Sequence, residues 1–162
     1  MKAVRWSKTV GVMAAMLLVV LATAQGAGDS LAMQIAQPDG PVTDPAVSLQ
    51  ITMTNTASRE LTLVKSNPGC DFTAMVKDPD GHDAEFTEAG RELSQCRHRM
   101  LLGRRIIVTL RSGESTEDVY PLSWYYDLKR PGSYSVKLQR EVPQGGGGGM
   151  VSSNEVTVVL AK

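Results

Sequence analysis

The sequence predicts an all-β domain, an antiparallel immunoglobulin-like β-sandwich of seven or eight strands that follows an N-terminal signal peptide. Three observations carry that expectation. Apolar residues recur at every second position in several short runs, as they do in strands with one buried face. Turn residues, mostly Gly, Pro, Asn and Asp, separate the runs at short intervals. No stretch carries a convincing amphipathic-helix pattern. A lone sheet would leave an apolar face wet, so a second sheet must cover it. A closed barrel is the main competing arrangement.

The chain has 162 residues, and its start reads as a targeting segment. Lys2, Arg5 and Lys8 form a basic beginning, Thr9 to Leu21 is an almost purely apolar run, and Ala22-Thr23-Ala24 offers the small-x-small pattern of a cleavage site. The run holds 13 residues, short of the roughly 18 to 20 that span a bilayer. A signal peptide over 1–24 and one mature domain over 25–162 are therefore expected, with an uncleaved anchor helix as the alternative. No Cys follows the apolar run, so lipid attachment through a new N-terminal Cys is excluded. The expected location is periplasmic or secreted, without stable membrane insertion after cleavage.

Composition narrows the partners. The whole chain has 17 Lys and Arg against 17 Asp and Glu, and removing the leader's three cations leaves 14 against 17, a net charge of −3. That balance argues against nucleic acid, whose phosphates call for surplus cations.

The elements follow in order. Val47, Leu49, Ile51 and Met53 alternate with Ser48, Gln50, Thr52 and Thr54, and Asn55 to Ser58 turns the chain. Leu61 to Lys65 is a shorter strand closed by Asn67-Pro68-Gly69. Phe72 to Lys77 and Asp83 to Phe86 flank Asp78-Pro79-Asp80-Gly81, a hairpin signal because Asp-Gly accepts positive φ. Residues 87–99 lack periodicity and read as a crossing segment. Ile106, Val108 and Leu110 resume the alternation, Ser112-Gly113-Glu114 turns, and Val119 to Leu122 reads as an edge strand interrupted by Pro121. Tyr134, Val136 and Leu138 form another strand, and Val156, Val158 and Leu160 the last. Between them, Gly145 to Gly149 reads as a tolerant loop that resists ordering.

Candidate chemistry is sparse. Cys70 and Cys96 suit a disulfide in an oxidising compartment. Such a bridge would stabilise the fold by roughly 3 kcal/mol. His82 and His98 do not complete a metal-ligand pattern with the cysteines. Asp78, Asp80 and Asp83 suggest a calcium loop, but Asp83 and Ala89 stand where an EF-hand needs its Gly and its bidentate Glu, so a solvated turn is expected. Arg97, His98, Arg99, Arg104 and Arg105 concentrate positive charge; Arg97 and Arg99 are candidate partner contacts, set against a plain solvated loop. Trp124-Tyr125-Tyr126 could anchor an interface or clamp a sugar, although one or two rings are expected in the core. Trp124 and Tyr125 are the candidate contacts. No nucleophile elbow, phosphate-cradling loop or cofactor motif is present, so neither catalysis nor a cofactor is expected.

Leu128 to Val136 contains Pro131-Gly132-Ser133-Tyr134, which looks like the corner before the penultimate strand of many immunoglobulin-like domains. The resemblance implies that the Tyr134 hydroxyl bonds back across the corner. A wider pattern runs from the strand ending in Asn55 through the Asp80-Gly81 hairpin, the Leu110-x-x-Gly113-Glu114 turn, Trp124 and Tyr134. It resembles the bacterial BsuPI-type proteinase inhibitor domain and the β-rich propeptide region of some secreted metalloendopeptidases. The resemblance implies a sandwich whose loops face a protein partner.

The sequence thus points to an exported, non-enzymatic binding domain whose partner is another exported or envelope protein. The alternatives are a BsuPI-like proteinase inhibitor, a structural accessory domain and a carbohydrate-binding domain. The disulfide has its own test: thiol titration of the unfolded, unreduced mature protein finds no free thiol, whereas two would refute the bridge.

Overall fold

The structure is a computed structural model that describes residues 30–37, 46–94, 105–143 and 148–161. The leader, Cys96, Arg97, His98, Arg99, Arg104 and Gly145 to Gly147 lie outside the described residues. Among the described residues the elements are β1 (Leu31–Ala36), β2 (Leu49–Asn55), β3 (Leu61–Lys65), α1 (Pro68–Asp71), β4 (Thr73–Lys77), α2 (Glu88–Ser94), β5 (Ile106–Leu110), β6 (Ser115–Tyr120), α3 (Leu122–Tyr125), β7 (Gly132–Glu141) and β8 (Met150–Leu160). All strand pairs are antiparallel, in the orders β1-β2-β6, β3-β5 and β4-β7-β8. The protein is an all-β sandwich with eight strands among the described residues, and these do not close into a barrel.

Alternation places the core. Leu49, Ile51 and Met53 of β2, Leu61 and Leu63 of β3, and Tyr134, Val136 and Leu138 of β7 are all buried. The same period runs through Leu31, Met33 and Ile35 of β1, a strand the sequence reading lacks. Its outward positions include Ala32 and Ala36, and apolar residues on both faces blur a period-two signal. β8 is longer than expected because its alternation changes phase. Val151 and Ser153 face inward, Asn154 and Glu155 are both exposed, and Val158 faces inward again. A register shift opposite Lys137 and Gln139 marks the bulge, where Leu138 N donates to Ser153 Oγ at 2.9 Å. The bulge aims Asn154 at β1, where its amide accepts from Ile35 N at 2.8 Å and donates to Ile35 O at 3.0 Å. One side chain thereby ties the edges of two sheets together.

Four further expectations change. The strand expected over Val119 to Leu122 instead runs Ser115–Tyr120, and Leu122 opens α3. Residues 87–99 do not simply cross: Glu88–Ser94 forms the seven-residue helix α2, too short to show a full apolar stripe. Asn67-Pro68-Gly69 opens the one-turn helix α1, because the Asn67 side chain accepts from Gly69 N and Pro suits the first helical position. The arm from Asp83 to Phe86 reduces to isolated bridges, Lys77 with Asp83 and Phe86 with Tyr126.

Asn55 closes one junction. Its Nδ2 donates to Arg59 O at 2.8 Å and Leu110 O at 2.9 Å, while its Oδ1 accepts from Ala57 N at 2.9 Å. Its backbone bonds Glu114 O and Gly113 N across the next turn. Fully buried yet fully bonded, it joins the end of β2 to the end of β5 and to the turn before β6.

Arg140 continues the inward stripe of β7 and is only 5% exposed. Its guanidinium donates to Val64 O, lies 3.7 Å from Met53 Sδ and 3.9 Å from Asp71 Oδ2, and stacks 5.1 Å from the centre of the Phe72 ring. Burial pushes its pKa down, and the charges of Asp71 and Asp118 push it back up. Removing one partner strands the other charge. Arg140→Ala is expected to cost about 3 kcal/mol of unfolding free energy, read as a lower urea midpoint at unchanged denaturant slope.

Candidate functional site

The short helices pack together, α1 on α2 and α2 on α3, and Tyr125 is the centre of that cap. The Tyr125 hydroxyl donates to Asn67 Oδ1 at 3.0 Å and accepts from Gly69 N at 3.2 Å. A side chain at Gly69 would meet the Tyr125 ring at 2.8 Å, and one at Gly90 would lie 2.0 Å from the Tyr125 carbonyl oxygen. Glycine at both positions lets α1 and α2 close upon α3. Thr87 completes the join. Its N–H donates to Tyr125 O at 3.0 Å, its hydroxyl donates to Trp124 O, and Gly90 N donates to the same hydroxyl at 3.0 Å, an N-cap for α2.

The helical geometry of α3 sorts the aromatic triplet. Leu122, Tyr125 and Tyr126 are buried, spaced three and four residues apart, while Trp124 is 60% exposed. Tyr125 is therefore not available as a partner contact, a correction to its candidacy: one helical turn, rather than strand alternation, sets its direction. Trp124 remains on the surface, its ring parallel to that of Tyr125 within 2° and 6.1 Å away.

Beside this cap lies a cleft of about 480 Å³ whose apolar lining includes Phe86, Leu128 and Leu160, with Glu85, Glu88 and Lys129 among its charged residues. Phe86 is 37% exposed and its ring lies 4.8 Å from that of Tyr126. The cleft walls are fastened by Asp127 N donating to Glu85 O at 2.8 Å and by a 2.6 Å pair between Lys129 and Asp127. That pair raises the Lys129 pKa.

A second cleft of about 480 Å³ adjoins it, sharing Glu85, Asp127 and Lys129, and reaches the β4 turn at Asp78 and His82. Asp78, Asp80 and His82 bring possible ligand atoms within 4.8 Å of one another. A fixed cation already serves the carboxylates: Arg130 lies 2.6 Å from Asp80 Oδ2 and 3.4 Å from Asp78 Oδ2. Burial works to raise the Asp78 pKa, but the N–H groups of His82 and Asp80, with the His82 and Arg130 charges, hold it below the usual value. The arrangement is a turn locked by an arginine. Gly132, at φ +138, brings its backbone against this turn, since a Cβ there would lie 2.7 Å from Pro79 Cγ. Tyr134 Oη donates to Arg130 O at 2.9 Å across the same corner, with Pro131 exposed at its tip.

The remaining candidates fall as follows. Cys70 sits in α1 and is not a free thiol; Cys96, Arg97 and Arg99 lie outside the described residues. No helix among the described residues is long and apolar enough to cross a membrane. The sequence reading misses the cleft, Phe86 and Thr87. The only sequence signal for them is Thr87 placed ahead of Glu88 and Gly90, a cap without a long apolar helix behind it.

No family model matches the chain, and no curated protein matches it. A Bacteroides uniformis β-glucuronidase structure aligns with 80% of this chain and 13% of its own, at 14% identity and a TM-score of 0.39. The structure of Bacteroides uniformis β-glucuronidase 2 covalently bound to cyclophellitol-6-carboxylate aziridine aligns over 80% and 13%, at 16% identity and a TM-score of 0.37. The chain spans a small part of either protein, and likeness at these TM-scores carries no conclusion about substrate or activity.

The buried phenols make the cap sensitive to alkali. Burial, aided by the Asp83 charge, moves the Tyr126 pKa from 10.0 up to about 12, and burial with the neighbouring Tyr126 and Tyr125 raises that of Tyr120 further. The folded state thus keeps protons that the unfolded chain releases. Stability is intact below pH 10.0 and falls as the pH climbs toward about 12. Urea midpoints across that range show the decline, and Tyr126→Phe makes it shallower.

Proposed function

We propose that this protein is an exported, non-enzymatic binding domain that engages another exported or envelope protein through the helical cap. The observation that carries the reading is Trp124: 60% exposed, parallel to the buried Tyr125, with Ser123 just before it and Tyr126 two residues after it in the cleft wall. Exposed tryptophan beside an apolar recess is enriched among the few residues that supply most of the affinity of protein interfaces. Export rests on the leader pattern in residues 1–24, and a Cys70–Cys96 bridge would suit the compartment it leads to. That bridge would fasten α1 to the chain just beyond α2, on the frame that presents Trp124.

Sugar binding is less well supported, because Tyr125 and Tyr126 are inside and Trp124 alone of the triplet is exposed. A BsuPI-like inhibitor would be one form of the protein-binding reading. Affinity capture from envelope and secreted extracts, run in parallel with wild type and Trp124→Ala, decides the matter. The expected result is a partner recovered in stoichiometric yield on wild type and depleted at least tenfold on the variant. Equal recovery on both overturns the cap as the binding surface. A proteinase as the captured partner, slowed at near-stoichiometric ratio, specifies inhibition.

A further inference from the structure

Of the edge strands among the described residues, β1, β6, β3 and β4 each have a main-chain group bonded by a side chain, and β8 lies alongside β1. Asn154 takes both polar groups of Ile35 on β1. Lys65 Nζ donates to Glu117 O of β6 at 2.6 Å, and Asp118 Oδ1 accepts from Val119 N at 3.1 Å. Arg140 takes Val64 O of β3, and Tyr126 Oη donates to Ala74 O of β4 at 2.9 Å. Such devices prevent strands from recruiting other chains. β5 differs. Among the described residues it pairs with β3 alone, and the side-chain bond it receives is to its last carbonyl, Leu110 O, from Asn55.

The strand also presents an unusual surface. Its sequence Ile-Ile-Val-Thr-Leu consists mostly of strong strand formers. Ile107 is 71% exposed, Ile106 53%, and Val64, opposite Ile107 in register, 40%. Arg105 and Arg111 stand at its two ends, both exposed, Arg111 carrying only a 4.0 Å contact with the exposed Glu60. Alternation places Arg105, Ile107, Thr109 and Arg111 on one face.

We infer that the edge of β5 left unpaired among the described residues accepts an extended, acidic-ended segment of another protein as an added antiparallel strand. Main-chain bonds supply affinity in this mode, and alternate side chains supply selectivity. An aliphatic residue opposite Ile107 needs an acidic residue four positions before it, opposite Arg111, and another two positions after it, opposite Arg105. The same arginines disfavour a second copy of this chain: the register that overlaps the whole strand, centred on Val108, sets Arg105 against Arg111 of the other copy at both ends. The surface is separate from the cap, since no β3 or β5 residue lines either cleft.

The test uses the full chain, expressed with its own leader and purified as the cell processes it. The probe is a labelled nine-residue peptide of Thr and Val, with one Ile and Glu residues four before and two after it. Fluorescence anisotropy at low salt is expected to show binding at least tenfold tighter than that of the same peptide with Lys for Glu. Arg105→Glu with Arg111→Glu reverses that preference, and amide exchange over residues 106–109 slows when the acidic peptide binds wild type. Equal binding of both peptides to wild type, or none, overturns the inference. So does sedimentation of wild type as a dimer that Ile107→Lys dissociates. A partner captured through Trp124 leaves these outcomes unaffected, so this edge and the cap fail or stand separately.

Discussion

A positive charge inside the sandwich organises this fold. Arg140 occupies a position that strand alternation reserves for an apolar side chain, and its guanidinium cannot be left in the interior without partners. The partners come from three directions: Met53 on β2, Val64 O on β3, and Asp71 with Phe72 where α1 meets β4. Asp71 in turn accepts from the backbone and hydroxyl of Ser66, both at 2.6 Å. The requirement to satisfy one guanidinium therefore fixes where α1 sits against β7.

From α1 the constraint passes to the cap. Asn67 ahead of the helix and Gly69 within it receive the Tyr125 hydroxyl, and Gly90 of α2 packs on the Tyr125 carbonyl from the other side. With Tyr125 held, Trp124 has one direction left, outward. Exposure of Trp124 is thus the far end of a chain of contacts that begins at Arg140, and the adjoining cleft exists because residues 85–87 are bonded along residues 124–127. The opposite face of the same design is edge protection. Arg140, Tyr126 and Lys65 each occupy a strand carbonyl while also serving the core or an ion pair, and β5 has no equivalent guard among the described residues.

Much of the fold was legible because period-two alternation is a local property. β2, β3, β5 and β7 could be placed from apolar residues at every second position, and the Gly81 and Gly113 turns from their turn residues, both glycines having positive φ, +82° and +77°. The corner at Pro131 to Tyr134 was expected from its resemblance to immunoglobulin-like domains, and its hydrogen bond spans four residues. The candidate site was less so. Trp124-Tyr125-Tyr126 stood out by composition, but which ring faces solvent depended on a one-turn helix, and a helix of that length leaves no periodic signature.

By itself, then, the sequence determined the sandwich class, the inward faces of its clearest strands and the chemistry of its turns, all set by neighbours in the chain. Only the tertiary structure decided the rest. The bulge at Ser153 and Asn154 appears because β1 lies alongside β8, and α1 and α2 appear because two glycines allow backbone to close on Tyr125. Arg140 is inside because groups from three distant segments converge on it. Those outcomes depend on contacts between residues tens of positions apart, and no local pattern encodes such a meeting.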